Sequence, residues 1–118
     1  AVLAAGALLI GGIGSVDAAN WYTVGTDSNG ITWSIDNDSV KKDDKKAVMD
    51  IKAMDYEGYH YIVTEEFNHK KREVKDLKVT LYNPQGYVVK EEQVNKDSRK
   101  VEPGTPAYAV FQLIWGGK

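Results

Sequence analysis

The chain has 118 residues, with 15 basic and 17 acidic side chains, two His and no Cys. Its length is enough for one domain and too short for two, because each domain needs a core of its own. The near balance of charge argues against a general nucleic-acid binder, which needs a strong basic excess. Without Cys we expect neither disulfides nor a lipid anchor on a cysteine, so the stability of the domain must come from packing.

The chain begins with a run rich in Ala, Leu, Gly and Ile. Its apolar part, residues 1–13, has the length of a signal-peptide core and is shorter than the roughly 20 apolar residues of a membrane-spanning helix. Small residues stand at the two positions that a signal peptidase reads, which predicts cleavage after Ala18. The alternative is a buried Ala-rich helix, which four Gly residues and the lack of a polar face disfavour. We therefore expect residues 1–18 to be a signal-peptide remnant and residues 19–118 to form the domain.

Two short strands joined by a tight turn are predicted next. Residues 21–26 and 31–35 are rich in aromatic and β-branched side chains and flank the sequence Asp27-Ser28-Asn29-Gly30. Its Asn-Gly pair suits the positive φ angles of a hairpin. Alternate side chains from Ile31 to Ile35 share one face, which we interpret as the first part of the core. The charged stretch 36–46 is predicted to be a solvated connection.

Four further strands are predicted, each bounded by turn residues. Alternating patterns place them at about 47–54, 59–67, 74–82 and 87–94. The side chains predicted to face the core are Ala47, Met49, Ile51, Ala53, Tyr59, Tyr61, Val63, Phe67, Leu77, Val79 and Leu81. Polar side chains alternate with them, so the other face of the sheet is predicted to be exposed to water.

The last segment changes to a helical period. A helix is predicted at 106–115, because Thr105 followed by Pro106 is a typical helix start and two Gly residues come after its end. Its apolar stripe, at positions i, i+3, i+4 and i+7, comprises Ala107, Val110, Phe111 and Ile114. The predicted fold class is α+β, a single antiparallel sheet of about six strands with a C-terminal helix packed on it.

Residues suited to catalysis or metal binding are few. Glu65, Glu66 and His69 are close in sequence, but adjacent carboxylates in a strand point to opposite faces, and no second His or Cys completes a metal site. Four Asp residues of the 36–44 region lack the central Gly and final Glu of a calcium loop. There is neither a GxSxG motif nor a Cys nucleophile. We therefore expect no catalytic residues, no metal site and no cofactor, and so a protein that is not an enzyme.

Two basic clusters are candidates for a binding surface. In the first, Lys41, Lys42, Lys45 and Lys46 are interleaved with Asp residues that weaken their field. The second is denser and comprises His69, Lys70, Lys71, Arg72 and Lys75. It is the candidate partner-binding site, suited to an acidic polysaccharide or an acidic patch on a protein. The alternative is an ordinary solvated loop.

Several short motifs between about residues 20 and 115 resemble the surface-adhesin protein E-like domain family of bacterial envelopes. They are Trp21 with the Gly25-Thr26-Asp27-x-x-Gly30 hairpin, Ile35-Asp36-x-x-Ser39-Val40, Tyr82-Asn83-Pro84-Gln85-Gly86, and Val101-Glu102-Pro103-Gly104-Thr105 before the apolar helix. The resemblance implies one antiparallel sheet of about six strands with a C-terminal helix, and export to the periplasm or cell surface.

The same resemblance implies a function. The family's named member is a surface adhesin that binds host extracellular-matrix and serum proteins such as vitronectin and laminin and can form a homodimer. It implies for this chain an exported, non-enzymatic binding module with a protein partner. We expect the contact to involve either the sheet face or the basic loop at residues 69–72. The chain departs from the adhesin in having no lipid-anchoring Cys. The alternative is therefore a periplasmic envelope or structural domain that binds a bacterial partner.

Overall fold

The computed structural model describes residues 19–94 and 97–116. The predicted signal-peptide remnant, residues 1–18, lies outside the described residues. The strands are β1 (Trp21–Thr26), β2 (Thr32–Asp36), β3 (Lys41–Lys42), β4 (Lys46–Met54), β5 (His60–Asn68), β6 (Glu73–Tyr82), β7 (Val88–Gln93) and β8 (Arg99–Lys100). A 3-10 turn spans Asn37–Ser39, and the helix α1 spans Pro106–Trp115.

The strands of the described residues form one antiparallel sheet in the order β1-β2-β4-β5-β6-β7. The two-residue strands β3 and β8 pair with the first residues of β4 and β6, respectively. The helix α1 lies against one face of the sheet, here called the helix face, and the opposite side is called the open face. The predicted α+β fold is confirmed, with the six predicted strands as its main strands. The strands β3 and β8 were not predicted.

Three hairpins at one end of the sheet share one turn chemistry. The side-chain oxygen of Asp27 accepts hydrogen bonds from the backbone N–H groups of residues 29 and 31, and Asp55 and Asn83 repeat this pattern. The third residue after each of them is Gly with a φ between 82° and 97°, a region that L side chains rarely adopt. These local interactions explain why short alternating segments form a meander of adjacent strands.

The core lies between the helix face and α1. Its fully buried large side chains are Phe67, Phe111, Met49, Val74 and Val110. The cap predicted at Thr105 is confirmed, since its side chain accepts a hydrogen bond from the Tyr108 N–H, and Gly116 ends α1 in the left-handed region. The predicted stripe is buried at Val110, Phe111 and Ile114. Burial of these side chains supplies most of the hydrophobic stabilisation.

Some side chains predicted to be inward are partly exposed. Tyr59 and Tyr61 are 44% and 48% exposed, because α1 covers the rows of Met49 and Ile51 rather than the hairpin end of the sheet. Leu77 is the extra residue of a bulge, since Thr64 pairs with Lys78 and Glu65 with Asp76. The bulge shifts the alternation of β6, so that Asp76 shares the helix face with the buried Val74.

Candidate functional site

The predicted partner-binding residues lie in and beside the hairpin that joins β5 to β6, and the fold separates them. The His69 ring stacks on Trp115 with centroids 4.2 Å apart, and its Nδ1 donates to the Asp44 carbonyl oxygen at 2.8 Å. The Arg72 guanidinium lies 4.8 Å from the centre of the Phe111 ring. His69 and Arg72 therefore hold the hairpin against α1.

The remaining three residues of this cluster face solvent or the open face. Lys70 and Lys71 are exposed at the tip of the hairpin. Lys75 pairs across the sheet with Glu66, whose carboxylate lies 3.5 Å from Lys46 Nζ. Lys70 and Lys71 are thus the members of the predicted site with the most exposed side chains.

The fold brings the other basic run to the same place. The His69 N–H donates to the Lys45 carbonyl oxygen at 2.9 Å, and Lys46 pairs with Asn68 in the sheet. The Lys100 ammonium donates to the Lys71 carbonyl oxygen at 3.0 Å. The resulting surface, here called the basic end, comprises Lys41, Lys42, Lys45, Lys46, Lys70, Lys71, Arg72, Lys75 and Lys100.

Cationic side chains outnumber carboxylates at the basic end. Nine cationic side chains are accompanied there by four carboxylates, those of Asp43, Asp44, Glu66 and Glu73, although the whole chain has a net charge of −2. The backbone N–H groups of Lys46 and Lys45 hold the pKa of Asp43 below its ordinary value, so this carboxylate keeps its charge. The basic end therefore carries an excess of positive charge, although the chain as a whole has a small excess of acid.

The backbone of the basic end is fixed by the C-terminal half of α1. The Trp115 indole N–H donates to the Asp43 carbonyl oxygen at 3.1 Å, and the Lys42 ammonium donates to the Ile114 carbonyl oxygen at 2.7 Å. Together with the stacking of His69 on Trp115, these contacts tie the 43–46 loop, the β5–β6 hairpin and α1 together. The exposed lysines therefore extend from an ordered base, which reduces the entropy lost on binding.

A buried carboxyl cluster beside the basic end was not predicted from the sequence. Glu65 is 8% exposed, and Arg99 Nη2 lies 3.0 Å from its Oε2 and 3.2 Å from Asp76 Oδ1. Burial raises the pKa of Glu65 to about 8, Asp76 adds to the rise, and Arg99 opposes it. The signal was present, because Glu65 falls on the inward phase of β5 between Val63 and Phe67.

The three residues that were considered as metal ligands, Glu65, Glu66 and His69, do not converge on one point. Glu65 lies on the helix face, whereas Glu66 lies on the open face beside Lys46, as expected for adjacent residues of a strand. Within residues 19–94 and 97–116, no three His, Asp or Glu side chains are placed to hold a metal ion together. In the same part of the chain, no helix has the length and apolar character needed to cross a membrane.

Compared with models of known protein families, with curated proteins and with solved structures, the chain gives no match.

Proposed function

We propose that the chain is an exported, non-enzymatic binding module that contacts an acidic surface of a protein partner through the basic end. The observation that supports this proposal is the convergence of two basic runs, joined by the hydrogen bond between His69 and Asp44, which are 25 positions apart. A patch of one sign steers a partner of the opposite sign and sets its orientation. The family resemblance supports a host extracellular-matrix or serum protein as the partner.

Two groups of side chains within the basic end differ in their contacts with the rest of the fold. Arg72 and Lys42 contact α1 through the Phe111 ring and the Ile114 carbonyl oxygen, so their replacement also disturbs the fold. The side chains of Lys45, Lys70 and Lys71 are exposed, and only the backbone of Lys45 and Lys71 makes structural hydrogen bonds. These three lysines are therefore the ones with which to test binding separately from folding.

The test is biolayer interferometry of the chain against immobilised matrix and serum proteins, vitronectin and laminin among them. The variant carries Lys45→Ser, Lys70→Ser and Lys71→Ser. We expect saturable binding that weakens with added salt, since exposed charge pairs are screened, and that is lost in the variant. Lys90→Ser is the matched control, because Lys90 is exposed on β7 and pairs with Glu92 outside the basic end.

The outcomes separate the proposed function from its alternative. Binding that the triple variant keeps would contradict the role of the basic end and move the contact to another surface. Absence of binding to every member of the panel would contradict a host partner and favour an envelope domain with a bacterial partner. The unchanged thermal unfolding midpoint of the triple variant is the control for its fold.

Export has its own test. If residues 1–18 are a signal-peptide remnant, protein recovered from the periplasm or cell surface begins at Ala19, which mass spectrometry of the intact protein measures. Protein that retains these residues in every fraction would contradict the predicted cleavage. This result is independent of the binding assay, so the prediction of export and the proposal of binding are tested separately.

A further inference from the structure

A groove of about 460 Å³ crosses the open face of the sheet, on the side opposite α1. Trp21 of the edge strand β1 stands on one side of it and Tyr82 of β6 on the other, with Ile62, Thr64 and Thr80 between them. A second hollow of about 280 Å³ shares Trp21, Ile62 and Tyr82 and extends the groove to the turn at residues 84–86. The volume is within the range of small-molecule sites.

Neighbouring side chains hold the two aromatic walls of the groove. The Lys52 ammonium lies 4.6 Å from the centre of the Trp21 ring, a cation–π contact. The Tyr82 ring stacks on His60 with centroids 5.0 Å apart and an angle of 9° between their planes. Thr80 on the floor is 6% exposed although it belongs to the open face. The walls therefore enclose part of a face that the sequence predicts to be fully exposed to water.

Polar groups in the groove are also fixed in orientation. Thr64 Oγ1 donates to Asp50 Oδ1 at 2.7 Å, and the Asp50 N–H donates to Ser39 Oγ at 2.8 Å. Lys78 Nζ lies 3.0 Å from a carboxylate oxygen of Glu91. The groove thus offers hydroxyl, carboxylate and ammonium groups, which together can donate and accept hydrogen bonds.

The groove has an excess of acidic side chains. Its lining includes the carboxylates of Asp36, Asp38 and Asp50 and the ammonium groups of Lys52 and Lys78, and the Glu91 carboxylate pairs with Lys78. A strongly anionic ligand is better matched by the basic end, which has a large excess of cationic side chains. A purely apolar ligand would displace water from the hydroxyl groups of Thr64 and Thr80 without offering them a hydrogen bond, which is unfavourable. An extended peptide pairs with a strand edge, whereas this groove lies on the face of strands that are already paired.

We propose that the open-face groove binds a short neutral oligosaccharide. A sugar ring has an apolar C–H face, which packs on an aromatic ring, and hydroxyls at its rim that donate and accept hydrogen bonds. Trp21 and Tyr82 supply the rings, and Asp50, Thr64 and Lys78 supply the partners for the hydroxyls. The acidic excess of the groove disfavours an anionic sugar, so we propose a sugar without net charge. This site is separate from the basic end and does not depend on the proposed function.

The test is isothermal titration calorimetry of the full chain with three neutral trisaccharides, namely maltotriose, cellotriose and N,N′,N″-triacetylchitotriose. We expect saturable binding of at least one of them and an affinity reduced by about tenfold or more in Trp21→Ala and in Asp50→Asn. Asp50→Asn keeps an acceptor oxygen for the Thr64 hydroxyl, so we expect this variant to fold even if Trp21→Ala does not. Matched controls are Tyr56→Ala, an exposed aromatic outside the groove, and Asp44→Asn at the basic end.

Two results would overturn the proposal. One is the absence of saturable binding by all three trisaccharides up to about 10 mM. The other is binding that folded Asp50→Asn keeps at full affinity, because the sugar would then lie elsewhere. Retention of sugar binding by the triple lysine variant is expected, and its loss would show that the sugar binds at the basic end rather than in the groove.

Discussion

Replacement of Glu65 by Gln tests the buried carboxyl cluster at the junction of β5, β6 and β8. The Glu65 carboxyl is almost completely buried, and the Arg99 guanidinium bridges it to Asp76 at 3.0 and 3.2 Å. Desolvation raises its pKa from the ordinary value of 4.5 to about 8, and this effect exceeds the opposing one of Arg99. At neutral pH the carboxyl is therefore mostly protonated. The Gln side chain has nearly the same shape as that of Glu, and it does not titrate.

The sign and size of the expected effect follow from this pKa. The folded state binds the Glu65 proton more tightly than the unfolded state does between pH 4.5 and about pH 8. The contribution to stability is thus complete below the unfolded-state pKa and is lost as the pH rises through the folded-state pKa. Since one pKa unit corresponds to about 1.4 kcal/mol, the loss between about pH 5 and pH 7.5 is about 3 kcal/mol.

Urea unfolding of the chain and of Glu65→Gln at about pH 5, 6 and 7.5 measures this loss. The two proteins differ only at residue 65, so the difference between their free energies of unfolding at each pH isolates Glu65. We expect this difference to shift in favour of the Gln variant by about 3 kcal/mol as the pH rises. Glu66→Gln, the neighbouring substitution on the opposite face of the sheet, is the matched control.

If the difference between the free energies of unfolding of the chain and of Glu65→Gln stays constant over this pH range, the raised pKa of Glu65 is refuted. This result would mean that the pKa of Glu65 lies below the range, and that attraction to Arg99 outweighs desolvation. The carboxyl would then be ionised and part of a buried ion pair, in which removal of one partner is destabilising at every pH of the series.

Three further substitutions test the packing of α1 and the turns. Phe111→Ala removes a ring that is fully buried and should lower the free energy of unfolding by about 3–5 kcal/mol; a loss below about 1 kcal/mol in urea would contradict its place in the core. Gly58→Ala places a Cβ 3.1 Å from Pro84 Cβ at a φ of 97°, and should lose about 1–3 kcal/mol by the same assay. Gly30→Ala, which meets no neighbour within 4 Å, is its control, and equal losses would show that the contact with Pro84 costs nothing. Thr105→Ala removes the helix cap and should lower the free energy of unfolding by about 1 kcal/mol. An unchanged thermal unfolding midpoint would contradict this role of Thr105.

Alternation of side chains, together with the turn residues between the segments, was sufficient to predict the six long strands. The strands β3 and β8 have two residues each, which is too short for any alternation to show. Leu77 was expected to follow the alternation of its strand, but it is itself the extra residue of a bulge in β6, opposite Thr64 and Glu65, and the bulge shifts the pattern. The inward position of Glu65 was missed for a different reason: its partner Arg99 lies 34 positions away in the chain.

The sequence by itself determined the turns, the cap of α1 and, outside the bulge in β6, the faces of the strands, because these depend on the φ preferences, hydrogen bonds and alternation of residues a few positions apart. The three Asp/Asn-to-Gly turns are examples. Only the tertiary structure decided which distant residues are neighbours. The pairing of β4 with β5 joins the two lysine runs, and the open face brings Trp21 opposite Tyr82. The physical reason is that strand order depends on the burial of the whole helix face against α1, which is a property of all the strands together.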